Sequence, residues 1–167
     1  TNPLSDIKNA KAVMIVGANP ASETPVAMRW VFDACDRNGA KVICVDPRLT
    51  QTAAKSHIHA RIRPGTDLAL IAGIINYILK EQKFTKPYVL QYTDASFVLD
   101  KDFFCASDTE GVFSGLSGDK YDRSSWRYKL DSRGVPISDE TLAEPRTVLN
   151  VLKKHFQRYG SDIVCRI

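Results

Sequence analysis

The chain lacks any paired cysteine motif. Its four cysteines, Cys35, Cys44, Cys105 and Cys165, stand far apart with no C-x-x-C among them, which excludes the common zinc and iron–sulfur ligand spacings. Cys35 and Cys44 fall within apolar patterns and read as buried, inert thiols. Long hydrophobic runs are missing too. The longest, Leu68–Ile75 continued by Tyr77–Leu79, is too short to span a bilayer, so no direct membrane insertion is expected and the stretch reads as a core helix. Net charge is only +4 and no lysine or arginine run occurs, which argues against a nucleic-acid footprint. Three histidines, His57, His59 and His155, have no acidic or thiol neighbours at metal-ligand spacing, and read as surface or hydrogen-bonded side chains. No nucleophile–base pair stands out, even in the Ser- and Asp-rich stretch Gly111–Ser125.

The residues that are present point to an α/β fold, a Rossmann-like parallel sheet flanked by helices. Ala12-Val13-Met14-Ile15-Val16 is apolar without alternation, the pattern of a strand covered on both faces. It stops at Gly17-Ala18-Asn19-Pro20. Thr24-Pro25 then marks a helix start, and Gly39 a helix stop. The polar residues Arg29, Asp33, Asp36 and Arg37 form one narrow stripe on this helix, so it is expected to lie between other elements. Lys41–Val45 is a second strand, and together they make a parallel βαβ unit. A short helical piece is expected around Thr52–Lys55, and Ala60-Arg61-Ile62 reads as a third strand. The helix from Asp67 to about Glu81 carries a ridge of small residues, Ala69, Ala72, Gly73 and Asn76, suited to close packing. A further helix runs from Thr85–Pro87 to Tyr92. Residues 1–92 thus form a Rossmann-like domain. Residues 93–167 form an irregular extension with a plausible hairpin at Asp131-Ser132-Arg133-Gly134 and a helix over Arg146–Tyr159.

Parallel strands end on one edge, where open α/β sheets hold ligands. That edge collects Gly17, Asn19, Pro20 and Glu23; then Asp46, Pro47, Arg48 and Thr50; then Gly65, Thr66 and Asp67. Gly17 and Gly65 permit close backbone approach to phosphate, Arg48 can pair with it in bidentate fashion, and Asn19, Thr50 and Thr66 can bond oxygens. A carboxylate after the second strand suits ribose hydroxyls, and a carboxylate is also a good acceptor for the two adjacent donors of guanine. Which of Asp46 and Asp67 takes which group stays open. The dinucleotide fingerprint G-x-G-x-x-G is absent and the helix begins only at Pro25, which disfavours a nicotinamide cofactor. The residues alone describe a nucleotide-type binding domain without a reactive group.

The runs Ile15–Pro25, Asn38–Arg48 and Arg63–Asp67, in that order, resemble the molybdopterin oxidoreductase (dimethyl sulfoxide reductase) family. Asp6–Ala10, Tyr121–Trp126 and the helix Arg146–Tyr159 resemble the large (alpha) subunit of respiratory-type formate dehydrogenases. The resemblance implies a molybdenum or tungsten ion held by two molybdopterin guanine dinucleotides, with these residues binding the nucleotide end of one of them. It implies phosphate and pterin-side contacts from Gly17, Asn19, Pro20 and Glu23, and guanosine contacts from Asp46, Pro47, Arg48, Gly65, Thr66 and Asp67. It also implies that the metal-ligating residue and a [4Fe–4S] cluster lie outside these residues. The chain is then one piece of a larger subunit, inactive alone. Its partners would be the rest of that subunit and an iron–sulfur electron-transfer subunit, on the periplasmic or cytoplasmic side of a bacterial membrane. The alternatives are another reductase of the family, for nitrate or a sulfur compound, and a stand-alone nucleotide-binding module.

Overall fold

The computed structural model describes residues 2–104 and 113–167, so Thr1, Cys105 and Gly111 lie outside the described residues. The chain divides into two compact units, Thr1–Asp67 and Leu68–Ile167.

The first unit is built on a three-stranded parallel sheet in the order β1 (Ala12–Val16), β2 (Lys41–Val45), β3 (Ile58–Ala60). A 3₁₀ turn over Leu4–Asn9 precedes β1. α1 (Pro20–Glu23) and α2 (Pro25–Asn38) join β1 to β2, and α3 (Gln51–Ala54) joins β2 to β3. Two expectations are met at the ends of α2. Pro25 opens it with its fixed φ, and Gly39 closes it at φ 64°, its N–H bonding the Cys35 carbonyl. Met28 and Val31 of α2 pack on Val42, with Val13, Ile15 and Ile7 around them. Asn38 Nδ2 donates to the carbonyls of Lys8 (2.8 Å) and Ala10 (3.3 Å), tying the 3₁₀ turn to the helix end.

Three sequence readings need correction here. β1 is not covered on both faces: Met14 is 45% and Val16 37% exposed, while Val13 and Ile15 face α2. Apolarity without alternation records what a strand tolerates, and only one face of this edge strand is packed by described residues of the unit. α2 likewise buries one face, Met28, Val31 and Ala34, and leaves Val26 exposed, so it is not enclosed between elements. β3 spans Ile58–Ala60 instead of 60–62. Its register pairs Ile43 with Ile58 and Val45 with Ala60. The ladder stops at Ala60, whose carbonyl takes the Asp46 N–H at 3.3 Å; the next acceptor on that side of the β2 chain, the Asp46 carbonyl, is met by the His59 ring at 2.9 Å. A further difference is α1, a single turn with Pro20 at its first position, between the β1 exit and α2.

The second unit contains α4 (Asp67–Lys80, entered from the last residue of the first unit), α5 (Lys86–Tyr92), the two-stranded ribbon β4 (Leu116–Ser117) and β5 (Lys120–Tyr121), α6 (Val148–Phe156) and α7 (Ser161–Val164). The small-residue ridge of α4 is used as expected. A Cβ at Gly73 would sit 3.0 Å from Val164 of α7, and Asn76 Nδ2 donates to the Tyr159 carbonyl at 3.0 Å. Within this unit α4 is nevertheless not a buried core helix. Leu68, Ile71, Ile74 and Tyr77 are exposed, because the packing surface is the small ridge and not the large apolar residues. Phe97, Val98 and Leu99 form isolated antiparallel bridges to Ser138, Thr147 and Tyr128. The expected turn at Asp131–Gly134 closes, with the Gly134 N–H on the Asp131 carbonyl and a bridge between Leu130 and Pro136. No helix of the described residues is long and apolar enough to cross a membrane.

Candidate functional site

All the predicted site residues belong to the first unit and lie on or beyond the carboxyl edge of its sheet. The strands β1 and β2 end in register at Val16 and Val45, so their exits start side by side. Gly17 leaves β1 at φ 61°, a left-handed conformation that glycine adopts without penalty. Its own N–H is engaged by the Val45 carbonyl at 2.9 Å. Any amide offered to a ligand from this turn therefore comes from the following residues, Ala18 or Asn19.

Asn19 and α1 are held from the second loop. The Asn19 Oδ1 accepts from the Thr52 hydroxyl (2.9 Å) and the Thr52 N–H (3.2 Å), and the same hydroxyl accepts the Ala21 N–H at 3.0 Å. Thr52 is fully buried, so these bonds lie where water cannot replace them. The Asn19 carbonyl end is thus committed to the fold, and its Nδ2 is the group left to face a ligand. Pro20 starts α1 and is half-buried, whereas Glu23 is exposed at its end.

In the second loop Asp46 is buried, and its Oδ1 accepts the Arg48 N–H at 2.8 Å, an Asx turn around Pro47. Among the described residues no side chain pairs with the exposed Arg48 guanidinium, which is free to meet an anion. Thr50 is buried and caps α3: its hydroxyl accepts the Ala53 N–H at 3.1 Å. Cys44, on the strand below, is fully buried. Burial and the neighbouring Asp46 carboxylate push its thiol above the ordinary range, against a smaller opposing effect of the Thr50 hydroxyl. The inert-thiol reading of Cys44 fits this environment.

The third loop closes on itself. Thr66 donates to the Arg63 carbonyl through both its N–H (3.1 Å) and its hydroxyl (2.7 Å), around Pro64 and Gly65, the latter at φ 84°. Gly65 and Asp67 are exposed. Both histidines of the region are hydrogen-bonded, as expected. His57 Nδ1 accepts the Val42 N–H at 3.1 Å, and His59 Nε2 lies 2.9 Å from the Asp46 carbonyl oxygen. No group of three or more His, Cys, Asp or Glu able to hold a metal occurs among the described residues. Thr52 and His59, which lace the loops together, were not among the predicted site residues.

A three-stranded parallel sheet flanked by helices, with its loops gathered beyond the carboxyl ends of the strands, defines an α/β domain of the Rossmann-like class. The chain belongs to the molybdopterin oxidoreductase family, whose pattern matches residues 1–161. The family implies a molybdopterin cofactor. The chain is 45% identical over 166 residues to the "Formate dehydrogenase, nitrate-inducible, major subunit" of Escherichia coli, and 42% identical over 169 residues to the "Formate dehydrogenase major subunit" of Haemophilus influenzae. These matches cover 98% and 100% of this chain and 16% of each relative. An "Assimilatory nitrate reductase catalytic subunit" of Bacillus subtilis is 37% identical over 94 residues, 56% of this chain and 13% of its own length. The chain therefore spans about a sixth of the curated relatives it matches over its whole length. The names of those relatives are those of one subunit in multi-subunit enzymes.

Proposed function

We propose that this chain is part of the catalytic subunit of a formate dehydrogenase, and that its three strand-exit loops hold the guanosine and phosphates of a molybdopterin guanine dinucleotide. The observation that carries the reading is the pairing of a buried Asp46 with an unpartnered Arg48 in one turn, within a sequence similar to formate dehydrogenases along its whole length. The donor set fits the group. Arg48 supplies a planar cation for phosphate, and the Ala18 and Asn19 amides and the Asn19 Nδ2 supply neutral donors. Asp46 has already given Oδ1 to the Arg48 amide, so it has one oxygen for a ribose hydroxyl. Asp67 is exposed, with no described partner for either oxygen, and so can accept the two adjacent donors on the guanine edge.

When bound, the molybdenum or tungsten pterin supplies two-electron chemistry that takes formate to carbon dioxide, with electrons passing to iron–sulfur centres. The work of these residues is retention and alignment. Thr52 and Asn19 fix the β1 exit against α3, while Arg48 neutralises phosphate charge at the edge. With no C-x-x-C in the sequence, the iron–sulfur cluster belongs to residues outside these, and the electron-transfer partner is a separate iron–sulfur subunit.

The test uses the complete subunit carrying this segment. Guanine nucleotide released per subunit after acid treatment should fall toward about half in Arg48→Ala and Asp67→Asn, the loss of one of two dinucleotides, with the fold retained by circular dichroism. Full guanine content in both variants refutes the assignment.

A further inference from the structure

His59 faces the one turn on which the nucleotide reading depends. β3 pairs with β2 so that His59 stands beside Cys44 and Ala60 beside Val45, one residue short of Asp46. Both backbone polar groups of Asp46 are then held by β3. The N–H donates to the Ala60 carbonyl at 3.3 Å, and the carbonyl meets His59 Nε2 at 2.9 Å. A carbonyl oxygen can only accept, so Nε2 carries the hydrogen and the ring is fixed in one tautomer. From that residue the bonding continues without a gap: Asp46 Oδ1 to the Arg48 N–H at 2.8 Å, the Arg48 carbonyl to the Thr50 N–H at 3.0 Å, and the Thr50 hydroxyl to the Ala53 N–H at 3.1 Å. Among the described residues no backbone N–H of the chain after β3 reaches the Asp46 carbonyl, so the His59 ring stands where the next rung of the ladder would be.

We propose that His59 is a positioning residue for the nucleotide site: its Nε2–H anchors the Asp46 carbonyl and so sets the direction in which the Asp46 carboxylate and the Arg48 guanidinium leave the sheet. It touches no ligand itself. The inference rests on the nucleotide reading above, and predicts a particular substitution pattern. Glutamine places its side-chain amide nitrogen the same number of bonds from Cβ as histidine places Nε2, and can donate to the same carbonyl. Phenylalanine keeps a ring of similar size and cannot.

In the complete holoenzyme, His59→Phe should raise hydrogen exchange at residues 48–50 by about tenfold, the loss of one anchoring bond, and should lower retained guanine nucleotide after dilution and mild heating. His59→Gln should restore both, and Arg48→Ala serves as the reference for nucleotide loss. If Arg48→Ala loses nucleotide while His59→Phe keeps it and leaves exchange unchanged, the positioning role is refuted and the nucleotide reading stands. If His59→Phe and His59→Gln are equally impaired, ring packing and not the donated bond is responsible, and the role is again refuted. If Arg48→Ala keeps its nucleotide, the nucleotide reading falls and takes the His59 role with it.

Discussion

Replacing Thr52 with valine changes little in shape and removes one hydroxyl from the fully buried junction between the first two strand exits. That hydroxyl makes two bonds, donating to Asn19 Oδ1 at 2.9 Å and accepting the Ala21 N–H at 3.0 Å. Each bond contributes on the order of 1 kcal/mol net, and an orphaned N–H costs about 1–3 kcal/mol. The backbone N–H of residue 52 still reaches Asn19 Oδ1, at 3.2 Å, so that acceptor is not abandoned. The extra methyl adds some apolar burial in return. The net loss should be about 2 kcal/mol, concentrated in α1 and the β1 exit. Because the loss is local, a global unfolding midpoint in a multidomain subunit is a poor gauge of it. Hydrogen exchange is the right assay. Amides of residues 19–24 should exchange about 30-fold faster in Thr52→Val, whereas Thr52→Ser, which keeps the hydroxyl, should stay near the parent rate. Exchange within twofold of the parent in Thr52→Val would refute the claim that Thr52 fixes the first loop. Equal acceleration in Thr52→Ser would assign the effect to packing.

Two further expectations concern groups outside the ligand edge. Cys44 is buried beneath Asp46 with its thiol pushed up, whereas Cys165 is exposed, so iodoacetamide on native protein should label Cys165 and spare Cys44 in peptide mapping. Labelling of Cys44 at the rate of Cys165 would contradict the burial. In the second unit Tyr128 donates to Asp94 at 2.6 Å, and that bond, helped by burial, pushes the phenol up to about 12. A folded-state value above the unfolded one makes this stabilisation complete below about pH 10 and lost between about pH 10 and 12. Tyr128→Phe should cost about 1 kcal/mol near neutral pH, read as faster hydrogen exchange around Asp94, and should remove a late-titrating phenol from the ultraviolet pH titration of the folded protein.

The residues that shape the strand exits were legible because each is punctuation. Gly17, Asp46-Pro47 and Gly65 interrupt apolar segments, and interruptions are what a linear reading detects. The α2 boundaries were legible for the same reason, through Pro25 and Gly39. What could not be read is how the interruptions hold one another. Thr52 is separated from Asn19 by a strand, a helix and a turn, and no local pattern marks one threonine of Thr50-Gln51-Thr52 as a cap and the other as a bridge. Burial separates them only once α3 is placed: the Thr50 hydroxyl turns along its own helix, and the Thr52 hydroxyl turns back to Asn19 and Ala21. His59 was hidden differently. It is one residue of a strand whose register was read two positions late, and a strand over 60–62 would have left it outside the sheet. With β3 over Ile58–Ala60, the same histidine lies against the Asp46 carbonyl. The placement of a three-residue edge strand thus decides whether a residue reads as a surface histidine or as the donor to the Asp46 carbonyl.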